Sequence, residues 1–119
     1  MAYTKYKVGS KVAEVLRQQA GYYIRDLRLA ANLSQGQLAD KLGITHATFV
    51  SQVENGRGRV PPESLDSWAD ALEVDVKKFT LKMLQYYDPY TYHWIEGSGK
   101  DFKERINELL NFMKEHAHP

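Results

Sequence analysis

Three features of this 119-residue chain predict an all-α fold. Apolar residues recur at helical spacings of three and four. Polar caps, glycines and prolines punctuate the stretches that carry this pattern. The hydrophobic content of 43% is enough for one modest core. The expected architecture is a five-helix unit over residues 21–87. An extra helical segment precedes it within 1–20, and an aromatic linker with an amphipathic helix follows within 88–119.

Ser10 can cap a first helix through Gln19, with Val12, Leu16 and Ala20 along one face. Gly21 weakens any continuation, because glycine in a helix interior costs about 1 kcal/mol relative to alanine, so a separate short helix is predicted. From Tyr22 to Ala31 the pattern resumes through Ile24, Leu27 and Ala31, and Asn32 stops it. Ser34 and Gln37 form a capping-box pair that opens the next helix, whose buried stripe is Leu38, Ala39 and Leu42. Gly43 suits the left-handed turn that ends it.

Thr45 is the natural cap of the following helix, expected to run to Asn55 and stop at Gly56. Pro61 is held out of helix by Pro62, which itself suits a helical first turn. Leu65, Trp68, Ala69 and Leu72 then mark a fourth helix, and Asp75 caps a fifth with Val76, Phe79, Met83 and Leu84 inward. Beyond Asp88-Pro89 the pattern breaks, and Tyr90, Tyr92 and Trp94 crowd a segment expected to be irregular up to Gly97-Ser98-Gly99. A last helix from Asp101 carries Phe102, Ile106, Leu109, Leu110 and Met113 on one face, which must be buried against something.

The chain has no cysteine, so disulfide frameworks and thiolate metal sites are excluded. It shows no apolar run long enough for a signal peptide or a membrane span, and a cytoplasmic location is expected. The net charge of +1 conceals an asymmetry. Residues 1–60 hold nine Lys/Arg against four acids, a net of +5, whereas residues 61–119 hold seven against eleven, a net of −4. A polyanion is drawn to the first half.

That basic half contains two short helices around one glycine turn, followed by the loop Gly56-Arg57-Gly58-Arg59. At 100° per residue, placing Val50 and Val53 in the core turns Thr48, Ser51, Gln52 and Asn55 outward. All four are short or amide polar side chains that can reach base edges without being repelled by phosphate. Gln52 can bond adenine N6 and N7 together, and Thr48 or Ser51 can meet several bases or a thymine methyl. Arg57 and Arg59 can follow a sugar-phosphate backbone or enter a narrow minor groove.

Residues 22–79 resemble the lambda-repressor-like helix-turn-helix family of the Cro/cI, or xenobiotic-response-element, type. The resemblance rests on Ile24-Arg25-Asp26-Leu27-Arg28, Leu33-Ser34-Gln35, Leu38-Ala39 and Leu42-Gly43-Ile44. It continues through Val50-Ser51-Gln52-Val53-Glu54-Asn55-Gly56 and Ala69-Asp70-Ala71-Leu72. It implies that Gln35 opens the first motif helix and bonds a DNA phosphate, that Gln52 lies on the recognition helix, and that Arg28 and Glu54 form a structural salt bridge. Lys41 and Thr45 join Gln35, Arg57 and Arg59 as candidate backbone contacts.

One departure stands out. Between Leu42-Gly43 and Glu54-Asn55-Gly56 the chain is one residue longer than the usual spacing, so His46, Ala47 and Thr48 compete for the leading base-contact position. The helical wheel favours Thr48, while the groove-entering helix N-terminus keeps His46 a candidate.

Nothing in the sequence suggests an enzyme: there is no phosphate-cradling loop, nucleophile elbow or zinc-protease signature. His116 and His118 lie in a tail without metal-ligand spacing, and neither a metal nor a cofactor is implied. The expected function is a repressor-like regulator that binds a double-stranded palindromic operator as a homodimer, with Phe102, Ile106, Leu109, Leu110 and Met113 at the subunit contact. The rival is an antitoxin-like chain that grips a partner protein through its C-terminal part and autoregulates through its N-terminal part. Duplex RNA is disfavoured, because its major groove is too narrow for the helix.

Overall fold

The computed structural model of the chain describes residues 10–96 and 102–116, apart from the side chains of residues 102, 103, 105, 106, 109 and 116. Seven α-helices make up the described fold: α1 (Ser10–Ala30), α2 (Gln35–Leu42), α3 (Thr48–Glu54), α4 (Leu65–Ala71), α5 (Val76–Tyr87), α6 (Pro89–Glu96) and α7 (Phe102–His116). A short 3-10 turn, Pro62–Ser64, leads into α4.

The expected break at Gly21 is absent, and α1 is a single helix of 21 residues. The glycine serves packing. A Cβ on Gly21 would lie 2.1 Å from the backbone oxygen of Glu54 and 2.9 Å from that of Val53, so only glycine lets the C-terminal end of α3 approach α1 this closely. Close approach by an adjoining backbone is one of the uses of glycine, and here it outweighs the loss of helix propensity. One turn earlier the relation is reciprocated. Gly56, at φ +82°, sits against Gln18, where a Cβ would be 2.9 Å from the Gln18 Cγ.

Asn32 takes the left-handed conformation at φ 58° that ends α1. The N–H of Leu33 then returns to the Arg28 carbonyl at 3.1 Å. The capping box of α2 is complete: Ser34 Oγ accepts from the Gln37 N–H at 3.0 Å and Gln37 Oε1 from the Ser34 N–H at 2.8 Å. Gly43 closes α2 at φ 69°.

The core joins Leu16, Ala20 and Ile24 of α1 with Leu38, Val50, Val53, Trp68, Phe79 and Met83. Phe49 meets Trp68 edge to face at 6.3 Å, tying α3 to α4, and Tyr23 stacks on Phe79 at 6.4 Å, tying α1 to α5.

Two boundaries differ from expectation. Residues 89–96 are helical: Asp88 caps the turn, accepting from the Thr91 N–H at 3.2 Å and the Thr91 hydroxyl at 2.6 Å, and Pro89 stands at the first helical position. Proline lacks an N–H that this position leaves unbonded anyway, so Asp-Pro starts a helix as readily as it stops one. The other difference lies in α3, which begins at Thr48 with Ala47 as its unassisted cap, so Thr45 is exposed and caps nothing.

The last helix packs inward on its own chain. Met113 is 7% exposed and belongs to the core, and Phe112 lies 6.3 Å from the Tyr86 ring of α5. Met113, expected at a subunit contact, is therefore withdrawn from the surface, whereas Leu110 is 43% exposed. The side chains of Phe102, Ile106 and Leu109 lie outside the described residues, as do Gly97-Ser98-Gly99 and His118. Leu81 is half-buried, whereas Leu29 is exposed.

Candidate nucleic-acid interface

Helix α3 is only seven residues long, too short to be stable alone in water. Its position is fixed from beneath by Val50 and Val53, both fully buried. With those two inward, Thr48, Gln52 and Asn55 are exposed and Ser51 is half-buried, so a row of hydroxyls and amides faces solvent. His46 is also exposed, just ahead of the first helical turn. Ala47 is half-buried and packs against the core. His46 and Thr48 thus present side chains at the front of the helix, while Ala47 serves as its cap.

A buried ion pair sets the angle of this helix against α1. Arg28 Nε donates to Glu54 Oε2 at 2.6 Å and Arg28 Nη2 to Glu54 Oε1 at 3.0 Å, a two-pronged pairing that fixes both position and plane. The remaining guanidinium nitrogen, Nη1, donates to the Leu33 carbonyl at 2.8 Å. Gln35 Nε2 adds a third bond to Glu54, donating to Oε1 at 3.1 Å. The pair therefore joins α1, the α1–α2 turn, α2 and α3 in one network. Such burial is tolerated only where lone pairs and N–H groups are matched. Gln35 stands at the first residue of α2, as expected, but its amide is partly committed to Glu54.

Asn55 has a similar double role. Its Oδ1 accepts the Arg57 N–H at 3.1 Å, which braces the loop and leaves the amide nitrogen as the outward donor. Beyond Gly56, Arg57 is exposed, and Lys41 is exposed at the end of α2. Arg59 is held differently. Its guanidinium carbon lies 4.6 Å from the centre of the Tyr87 ring, a cation–π contact, and the Tyr87 hydroxyl accepts the Val60 N–H at 3.3 Å. Tyr87 thus clamps the basic loop to the end of α5, a link no sequence motif announces because the residues are 27 apart. Burial pushes its phenol above the ordinary range, although the Val60 N–H and the charges of Arg59 and Arg17 oppose the shift.

Two short helices crossing at a glycine turn, the second presenting amides and hydroxyls beside exposed cations, form a helix-turn-helix unit. A family model described as helix-turn-helix matches residues 24–79, from the middle of α1 into α5. Those residues are similar to the Cro/cI-type helix-turn-helix family, and the match supports a DNA-binding domain of the kind transcriptional regulators carry. No curated protein matches the chain. Among the described residues, no three His, Cys, Asp or Glu side chains cluster as a metal site requires, and no helix is long and apolar enough to cross a membrane.

Proposed function

We propose that the chain is a repressor-type regulator that binds a palindromic operator as a homodimer. The observation that carries the reading is the outward row Thr48, Gln52 and Asn55 on a helix pinned by the Arg28–Glu54 pair. Gln52 offers both an acceptor and a donor and pairs with adenine in the major groove, while Thr48, Ser51 and His46 reach neighbouring bases. Lys41, Thr45, Arg57 and Arg59 carry phosphate contacts that set the register.

One α3 spans too few base pairs for useful selectivity, and two copies on half-sites about 34 Å apart supply the rest. The second copy docks on the C-terminal helices, where Ile95 is 57% exposed and Leu110 43% exposed. Selection of bound duplexes from a random pool tests the proposal. The expected outcome is two inverted half-sites whose centres are about ten base pairs apart. Enrichment of a single unpaired half-site would refute the homodimer, and no enrichment at moderate salt would refute operator reading.

A further inference from the structure

An open cleft of about 340 Å³ lies beside the reading face, between α1 and the C-terminal half of α3. Gln18, Tyr22 and Arg25 of α1 line one side, and Ser51, Asn55 and Gln35 line the other. The α1 residues form one face of their helix, spaced by four and three. Tyr22 is 52% exposed and Arg25 is exposed, so both side chains are open to a guest in the cleft.

The lining sets a guanidinium among phenol, hydroxyl and amide groups, each of which can donate a hydrogen bond as well as accept one. Among the described residues, the one carboxylate lining the cleft is Glu54, which is buried and already holds three bonds from Arg28 and Gln35. Arg28 is neutralised by that pairing, which leaves Arg25 as the cation available to a guest. The Arg25 charge, among groups able to donate, favours an anion, and the opening beside Ser51 and Asn55 makes the sugar-phosphate strand of a bound duplex the anion within reach.

We propose that this cleft seats a phosphodiester of the operator strand, held by Arg25 with Tyr22 and Gln18. The DNA interface then extends along α1 from Arg25 to Tyr22 and Gln18, the last two of which precede the matched segment, 24–79. The inference rests on the DNA-binding reading above. It explains the fused helix mechanically, since Gly21 and Gly56 let α1 approach α3 closely enough for side chains from both to share one guest.

The test compares the full-length chain with Arg25→Gln, Tyr22→Phe and Gln52→Ala on its selected duplex over a salt series. Arg25→Gln is expected to lower the log–log salt slope by about 0.9, one phosphate's worth, without changing the preferred sequence. Tyr22→Phe is expected to weaken binding several-fold at an unchanged slope. If Arg25→Gln kept the wild-type slope and affinity while Gln52→Ala lost sequence preference, the cleft would be refuted and operator reading would stand. A wild-type chain that bound no duplex would overturn both. A melting temperature raised by inorganic phosphate alone, and lost in Arg25→Gln at an unchanged duplex slope, would assign the cleft to a free anion and overturn the proposal.

Discussion

Replacing Gly21 with alanine tests how closely α1 and α3 are joined. In an ordinary helix this exchange stabilises by up to about 1 kcal/mol. Here the added methyl would lie 2.1 Å from the Glu54 carbonyl oxygen, and relaxing that contact to 3.4 Å moves the two backbones apart by about 1.3 Å. The bonds of 3.0 and 3.1 Å that Glu54 Oε1 accepts from Arg28 and Gln35 cannot survive such a shift intact. Overpacking costs about 1–3 kcal/mol, and breaking a buried pair costs about 3–5 kcal/mol. With partial loss of the pair and the propensity gain subtracted, Gly21→Ala is expected to destabilise by about 2–4 kcal/mol. For a chain of this size that lowers the melting temperature by roughly 10–25 °C. Thermal melts followed by circular dichroism read it directly. An alanine variant as stable as the wild type, or more stable, would refute the close-approach argument.

Glu54→Ala leaves the Arg28 charge buried alone, and urea denaturation should show a loss of about 3–5 kcal/mol; an unchanged midpoint would contradict its structural role. Arg57→Ala should weaken binding to all duplexes nearly equally and lower the salt slope by about one, and a loss confined to one sequence would indicate groove insertion instead. The Tyr87 phenol is raised by burial. Its contribution to stability is complete below the unfolded value of about 10 and is lost as pH rises through the higher folded value. Tyr87→Phe should therefore flatten the alkaline decline in urea midpoints, although Tyr23, Tyr86 and Tyr90 are raised as well and keep part of it. An identical decline in the variant would count against this. Leu110→Glu should shift sedimentation from dimer to monomer without lowering the monomer's melting temperature, and a dimer that persisted would remove α7 from the contact.

Much of the fold could be read from the sequence because local signals and core packing agree. Ser34, Gln37, Gly43 and Asp75 act at the positions their chemistry suggests, and the 100° wheel orients Val50 and Val53 correctly against Thr48, Gln52 and Asn55. The errors arose where a residue's local preference was overruled by a distant partner. Gly21 looks like a helix breaker until the backbone of α3 is placed against it, 33 residues away in sequence for Glu54. Thr45 looks like a cap, but the added residue before α3 is taken up by a turn that leaves Ala47 at the helix boundary. Asp88-Pro89 carries two meanings in sequence, and only the bonds from Thr91 select the helical one. At the interface, the Gln35–Glu54 bond and the Arg59–Tyr87 contact depend on tertiary placement that no local pattern encodes.

The regulator proposed here depends on base reading by the exposed face of α3. Duplex selection carried out in parallel with the wild-type chain and Gln52→Ala tests it most directly. The variant is expected to keep the half-site arrangement but lose preference at one adenine in each half-site, at a discrimination cost of about 1–3 kcal/mol. Identical preferred sequences from both proteins would contradict it.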